Sequence, residues 1–292
     1  MNSGIGEYQN PFCLNSIRLQ AQFFGRGKES GQALSFLHHG QCVSIVGPKK
    51  IGKTSFLFHV AHPHVRARRK QAEERAFVYL DGCSLADLEE AECYLYIREE
   101  TIRQIKSEVA LDREVGARLE ELVRQAGSQT AYFGLRTLLR STRQLGLKLV
   151  IALDHLDVLN QNRHLQEAFF SGLRSLHNSY ALTYIVASRS RIDRLRRICP
   201  DGLGSPFFNI FHQICIGPFE DDDSRQLIDT LLNLAGVTFH DSVKRCILHL
   251  GRNEPHRLQR AGQIAFQIWQ ADQQITREEH CAKIRQRFDE LI

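Results

Sequence analysis

Short apolar runs alternate with amphipathic stretches along the first three quarters of the chain, and amphipathic stretches alone follow. CVSIV, Cys42 to Val46, is β-branched and apolar and predicts a buried strand. The apolar positions Phe56, Leu57 and Val60 then continue as a helix. KLVIAL, Lys148 to Leu153, predicts a second buried strand and runs into Asp154. A helical segment over Leu165 to Leu176 precedes another strand, TYIVASRSR, Thr183 to Arg191. Ile210 to Ile216 predicts one more apolar strand. Beyond it, Leu227, Ile228, Leu231, Leu232 and Ala235 recur at helical spacing, after a cap-like Asp223-Ser224 and before Gly236. Val243, Cys246, Ile247 and Leu250 make a second stripe closing on Gly251, and Leu258, Ala261, Ala265 and Ile268 a third. Thr276 to Leu291 predicts a fourth helix. An α/β domain over 1–217 is therefore expected, then a small helical domain over 218–292, with the boundary near Gly217-Pro218.

Between the first strand and its helix lie Gly47, Pro48, Lys49, Lys50, Ile51, Gly52, Lys53 and Thr54, which match GxxxxGK[ST] at every fixed position. A polyphosphate needs its charges met without bulky side chains in the way. Glycines let backbone N–H groups point inward, and a helix N-terminus adds further donors and a positive dipole end. Lys53 suits the β and γ phosphates, the Thr54 hydroxyl suits Mg²⁺, and Ser55 follows at the helix start. Guanine is usually read in this class by an [NT]KxD segment; no KxD occurs in the chain, so ATP is the expected nucleotide.

Asp154, at a strand end, suits Mg²⁺ held directly or through water; the competing reading is a helix cap, a role Asp157 fits equally. The next position, where an acid would prepare a water for attack, is His155. An imidazole, ordinarily with a pKa of about 6.5, is largely neutral at pH 7 and can itself accept a proton; alternatively His155 only ends the strand. Asp157 serves as base only if the backbone turns it back toward the nucleotide. Ser188 and Arg189, at a strand tip, are candidates to sense the γ-phosphate, against an ordinary polar strand end.

Composition narrows the class. The net charge is +5, which permits nucleic-acid contact without demanding it. Arg66, Arg68, Arg69 and Lys70 form one basic cluster, and Arg189, Arg191, Arg194, Arg196 and Arg197 another. No aromatic residues interleave with them, which favours solvated faces or subunit contacts over a single-strand platform. The 8 cysteines form no CxxC pair, which argues against a zinc module and suggests a reducing compartment. HVAHPH, His59 to His64, straddles a helix end at Pro63, so its rings are expected not to converge on a metal. The N-terminus has no signal-peptide pattern and no apolar run is long enough for a membrane span, so a cytoplasmic protein is expected.

In order, NPF at Asn10 to Phe12, FFGRGKE at Phe23 to Glu29, GPKKIGKTSFL, LVIALDHLD, VASR, SPFFNIF at Ser205 to Phe211 and GRNEPHRLQ at Gly251 to Gln259 resemble the STAND branch of AAA-like P-loop ATPases. The resemblance spans nearly the whole chain. It implies a parallel sheet ordered 5-1-4-3-2 flanked by helices, with a helical lid. It places Phe24, Gly25 and Arg26 near adenine and lets Pro255 close over the base. It implies ATP and ADP as ligands with Mg²⁺, a homo-oligomer in the ATP state, and a separate protein effector or sensor; many such switches serve in signalling, regulation or defence against phage. Two departures stand out: His155 replaces the usual second acid, and the sequence ends where many relatives continue into a winged helix, sensor repeats or an effector domain. The main expectation is a slow ATPase switch. A DNA-associated ATPase of the origin or transposition type is the alternative, with Arg257 as a lid arginine on the γ-phosphate; a small-molecule kinase lacks any visible acceptor site.

Overall fold

The computed structural model describes residues 9–18, 22–67, 75–108, 130–195 and 206–291. Two compact units form: Met1–Gly27 with Lys49–His59 and Gly217–Ile292, and Lys28–Pro48 with Val60–Ile216.

The second unit holds the sheet. Its strands are β1 (Cys42–Val46), β2 (Arg75–Asp81), β3 (Lys148–Asp154), β4 (Leu182–Ser188) and β5 (Phe211–Cys215). All pairs are parallel, in the order β2-β3-β4-β1-β5. This is the order the resemblance implies, counted from the other edge. The chain also forms α1 (Gly27–His38), α2 (Lys53–Ala61), α3 (Pro63–Ala67), α4 (Glu90–Glu108), α5 (Ala131–Gln144), α6 (Leu156–Gln161) and α7 (Glu167–Ser179). β1 and β4 are buried throughout and β3 except at Lys148. Parallel strands covered on both faces read as continuous apolar runs for this reason. β5 falls within the apolar strand expected over Ile210 to Ile216, but within it only Ile214 is buried. It lies at the sheet edge, where one flank has no strand to cover it.

Aromatic rings fill much of this core. Phe207 meets Tyr184 edge-to-face, with centroids 5.5 Å apart, and Phe169 meets Phe170 at 5.4 Å. Phe207 is fully buried in the stretch before β5; Ser205 of the same motif lies outside the described residues. Phe207→Ala should therefore destabilise the protein by ~3–5 kcal/mol, read as a lower urea midpoint with an unchanged slope.

The other unit packs α8 (Asp221–Leu234), α9 (Asp241–Gly251), α10 (Pro255–Ala271) and α11 (Arg277–Asp289) around a separate apolar core. The predicted stripes are its inner faces: Leu227, Ile228, Leu231, Val243, Ile247, Leu258, Ala261 and Ala265 are all buried. Two predicted ends shift. Glu220, not Asp223-Ser224, holds the cap position of α8, and its three aspartates fill the first turn, where they complement the helix dipole. Gly251 is the last helical residue of α9, and Arg252, at φ 48°, takes the left-handed cap. Thr276 caps α11 by accepting the Glu279 N–H at 3.3 Å.

An N-terminal segment completes this core. Phe12 is buried against Gly262, where even a Cβ would lie 2.2 Å from the ring. Asn10 Nδ2 donates to the Gln263 carbonyl at 3.1 Å, and the Cys13 N–H donates to Gln259 Oε1 at 2.9 Å. No described helix is long and apolar enough to cross a membrane. The described cysteines are free thiols.

Candidate functional site

β1 leads directly into the Gly47–Gly52 loop, and α2 begins at Lys53. Pro48, Lys49 and Lys50 face solvent. Lys50 (φ 66°) and Gly52 (φ 96°) both take positive φ, so the loop doubles back before the helix. At Gly52 that conformation excludes ordinary side chains. The Gly52 carbonyl accepts the Phe56 N–H at 2.9 Å, which sets α2 running from the loop. A glycine loop, left-handed turns and the start of a 9-residue helix with Lys53 and Thr54 in its first turn suit a polyphosphate. The Ser55 hydroxyl accepts the Ile17 N–H at 2.9 Å.

Phe24, Gly25 and Arg26 fold against the start of the helical part. Gly25 and Arg26 both have φ 62°. The Arg26 guanidinium donates to the Gly217 and Pro218 carbonyls and lies 4.8 Å over the Phe219 ring. Arg252 and Asn253 are left-handed, Glu254 is the cap, and Pro255 opens α10, where its missing N–H is no loss. The Asn253 carbonyl accepts the Phe219 N–H at 2.7 Å. The GRNEP segment thus brackets the same Phe219. The next residue, His256, has its pKa lowered by burial and then by the charges of Lys50 and Arg260, so Lys50 of the phosphate loop acts on the lid motif. Arg257 follows His256 in α10. Its guanidinium donates twice to the Leu250 carbonyl at 3.2 Å and lies 5.3 Å from the Phe288 ring, a clamp on the end of α9.

The sheet presents a second set of groups. Asp154, last in β3, is 1% exposed. Its Oδ1 accepts the His155 N–H at 2.8 Å and its Oδ2 the Tyr79 hydroxyl at 3.2 Å. β2 and β3 are in register so that Asp81 stands opposite Asp154. His155 then turns left-handed, φ 51°, and its Nδ1 meets Asp81 Oδ1 at 2.9 Å. Burial works against the Asp81 carboxylate, but hydrogen bonds from the Cys83 N–H and from His155 outweigh it and hold the carboxyl below its usual range. Burial and the nearby Asp81 carboxylate push the Cys83 thiol up. Gly82 allows this arrangement: a Cβ there would lie 2.7 Å from the His155 carbonyl and 2.8 Å from that of Asp154. Gly82→Ala should force the two strand ends apart, at about 1–3 kcal/mol, seen as a lower melting temperature.

Asp157 sits in the first turn of α6, and His155 holds the cap position without a side-chain cap bond. Both Asp157 oxygens accept backbone N–H groups beyond β4, Arg189 at 2.7 Å and Ser190 at 3.0 Å. The Ser188 hydroxyl is buried and donates to the Ser190 carbonyl at 2.7 Å, while its own carbonyl accepts the Gly47 N–H at 3.2 Å. Ser188 thus adjoins the start of the phosphate loop, and the Arg189 side chain is exposed. The HVAHPH rings do not gather: His59 stacks on Phe23 at 3.8 Å, whereas His62 stacks on His64 at 5.5 Å. Of the basic clusters, Arg68, Arg69, Lys70, Arg196 and Arg197 lie outside the described residues.

Asp81 is the site residue that sequence reasoning missed. RAFVYLD, Arg75 to Asp81, repeats the pattern of KLVIALD, an apolar run ending in aspartate. That repeat was the available signal.

A parallel sheet in this order, with a GxxxxGKT loop after β1 and an aspartate ending β3, defines a P-loop NTPase of the STAND/AAA+ type. The chain belongs to the novel STAND NTPases: the family model described as novel STAND NTPase 2 matches residues 96–281. No curated protein matches the chain. Among solved structures it is similar to a Walker-type ATPase of Pyrococcus abyssi, with TM-score 0.67 and 14% identity, covering 96% of this chain and 75% of that one. It is also similar to the ORC2 protein of Aeropyrum pernix in ADPNP and ADP complexes, with TM-score 0.65, 12% identity, 89% and 67% covered. The ORC1 protein of the same organism, in complex with DNA, has TM-score 0.59 and 12% identity, with 97% and 68% covered. At these identities the likeness is one of fold.

Proposed function

We propose that the protein is an ATP-binding switch that hydrolyses its nucleotide slowly, oligomerises in the ATP state and signals to a separate protein effector, with antiphage defence as one setting for such a device. The reading is carried by His155, which stands where an acid is expected, with its ring held by Asp81 at 2.9 Å. In this reading Lys53 meets the β and γ phosphates and the loop N–H groups of Gly47 to Gly52 surround them. Thr54 and Asp154 hold Mg²⁺; a hydroxyl and a buried carboxylate are the hard oxygen donors that ion prefers. When bound, Mg²⁺ supplies positive charge to the phosphate oxygens. Phe24, Gly25, Arg26 and Pro255 border the adenine. Ser188 and Arg189 report on the γ-phosphate, Arg189 through its exposed side chain.

A carboxylate on Nδ1 fixes that nitrogen as the N–H donor and leaves Nε2 to accept a proton. His155 is then the base, oriented by Asp81, whereas Asp157 braces the β4 turn. A base contributes roughly 10²- to 10⁴-fold, and unassisted switches of related chemistry turn over at about 10⁻⁴ s⁻¹. The test is to incubate the protein with ATP and Mg²⁺, identify the nucleotide retained, and size the protein with ATP, with ADP and as Lys53→Ala. Slow conversion to bound ADP and an ATP-specific oligomer are expected. Turnover on the order of tens per second without activator, or identical monomers throughout with the effector present, would sink the switch.

A DNA-associated ATPase is the second reading, favoured by the +5 charge and the fold likeness to ORC1 bound to DNA. It requires DNA binding that weakens steeply with salt; no binding at low salt removes it.

A further inference from the structure

Three different donors converge at the end of β2. Asp81 ends the strand, Cys83 follows in the short 3₁₀ turn Gly82–Leu85, and His155 reaches across from the end of β3. One carboxylate oxygen, the thiol sulfur and one ring nitrogen all lie within 4.8 Å of one another. Around a tetrahedral zinc ion, with Zn–S near 2.3 Å and Zn–N and Zn–O near 2.0–2.2 Å, donors stand about 3.4–3.6 Å apart. Reaching that spacing takes side-chain rotations that draw the solvent-facing Cys83 inward and open the 2.9 Å contact between Asp81 and His155, whose side chains are each 37% exposed.

The backbone builds this meeting rather than leaving it to chance. In-register pairing sets Asp81 opposite Asp154, and the left-handed turn at His155 swings its ring toward Asp81. Gly82 lets the β2 turn press against the His155 carbonyl where no side chain would fit. The Asp81 side chain also accepts the Cys83 N–H at 2.9 Å, which keeps the cysteine folded back on the carboxylate.

The geometry points to a binding site for a zinc-like transition-metal dication, formed by Asp81, Cys83 and His155, a ligand set that shares neither Thr54 nor Asp154, although Asp154 Oδ2 lies 3.8 Å from His155 Nδ1. A mixed sulfur, nitrogen and oxygen set selects zinc or its neighbours over magnesium, which prefers oxygen alone. On ligation the Cys83 thiol releases its proton to solvent, and the ion takes the place of the hydrogen bond between Asp81 and His155. Three protein ligands leave one position for water. The regulatory consequence rests on the proposed role of His155 as base: an occupied site removes the imidazole from the reaction, so zinc holds the switch in its unhydrolysed state.

The decisive experiment titrates the nucleotide-free full chain with Co²⁺, then displaces it with Zn²⁺. Wild type should develop a thiolate-to-cobalt charge-transfer band that one equivalent of zinc abolishes. Cys83→Ser should lack the band, while Cys215→Ser, altered at an exposed cysteine on β5, should keep it. Asp81→Asn should weaken zinc binding by at least roughly the 10- to 100-fold that even outer partners of a metal cost. No band in wild type, or a band that survives Cys83→Ser, overturns the site. Because no nucleotide is present, the result is independent of ATP hydrolysis, and failure of the switch reading leaves this measurement intact.

Discussion

Lys53→Ala is expected to remove detectable ATP binding while leaving the fold in place. The side chain sits in the first turn of α2, immediately after the left-handed Gly52, and is half-buried. Truncating one partner of a hydrogen-bonded charge pair at a binding site costs ~2–5 kcal/mol. That corresponds to roughly 30-fold to several thousand-fold in Kd. Calorimetric titration with ATP and Mg²⁺, alongside a thermal melt, separates loss of the phosphate contact from loss of structure. Binding within about threefold of wild type, less than ~1 kcal/mol, would show that Lys53 does not touch the phosphates.

His155→Ala carries the largest expected effect on chemistry. Hydrolysis in a single turnover should fall by roughly 10²- to 10⁴-fold with ATP affinity nearly unchanged. Asp81→Asn keeps the shape but removes the charge facing Nδ1, so its rate should fall in the same direction by less, with an altered pH profile. Asp157→Ala should act differently: it loses two backbone hydrogen bonds at the β4 turn, so its melting temperature should drop more than its rate. If His155→Ala hydrolyses at the wild-type rate and Asp157→Ala does not, the two roles are reversed.

The elements that sequence alone revealed are those whose burial is uniform or strictly periodic. β1, β3 and β4 show as apolar runs because both faces of the sheet are covered, and the helical stripes show because one face of each helix is. β5 was legible as a strand but not as an edge, since its apolar Phe211 and Ile214 give no sign that Phe211 and Gln213 stay half-buried and His212 and Cys215 exposed. Helix ends were displaced because side chains that favour caps also favour first turns, as the three aspartates of α8 do. In the site, the phosphate loop was legible since its chemistry lies in consecutive residues. The partnership of Asp81 and His155 was not: it spans 74 positions and depends on strand register and a left-handed turn. Nor could spacing show that Asp157, Ser188 and Arg257 are tied to backbone groups.

Phe12 seats itself on Gly262, and Asn10 reaches Gln263 across 253 positions of sequence. On the ribosome, where synthesis runs N-terminus first, this segment emerges well before α10 and must wait for it, since Asn10 and Gln263 lie 253 positions apart. Loop closure over such a span comes late and slowly. The helical unit is therefore no portable cassette. A fragment cut at Gly217 would carry a ring-shaped void over Gly262, and a fusion made at that point would inherit it. Libraries that shuffle this lid between relatives should move residues 9–18 with it.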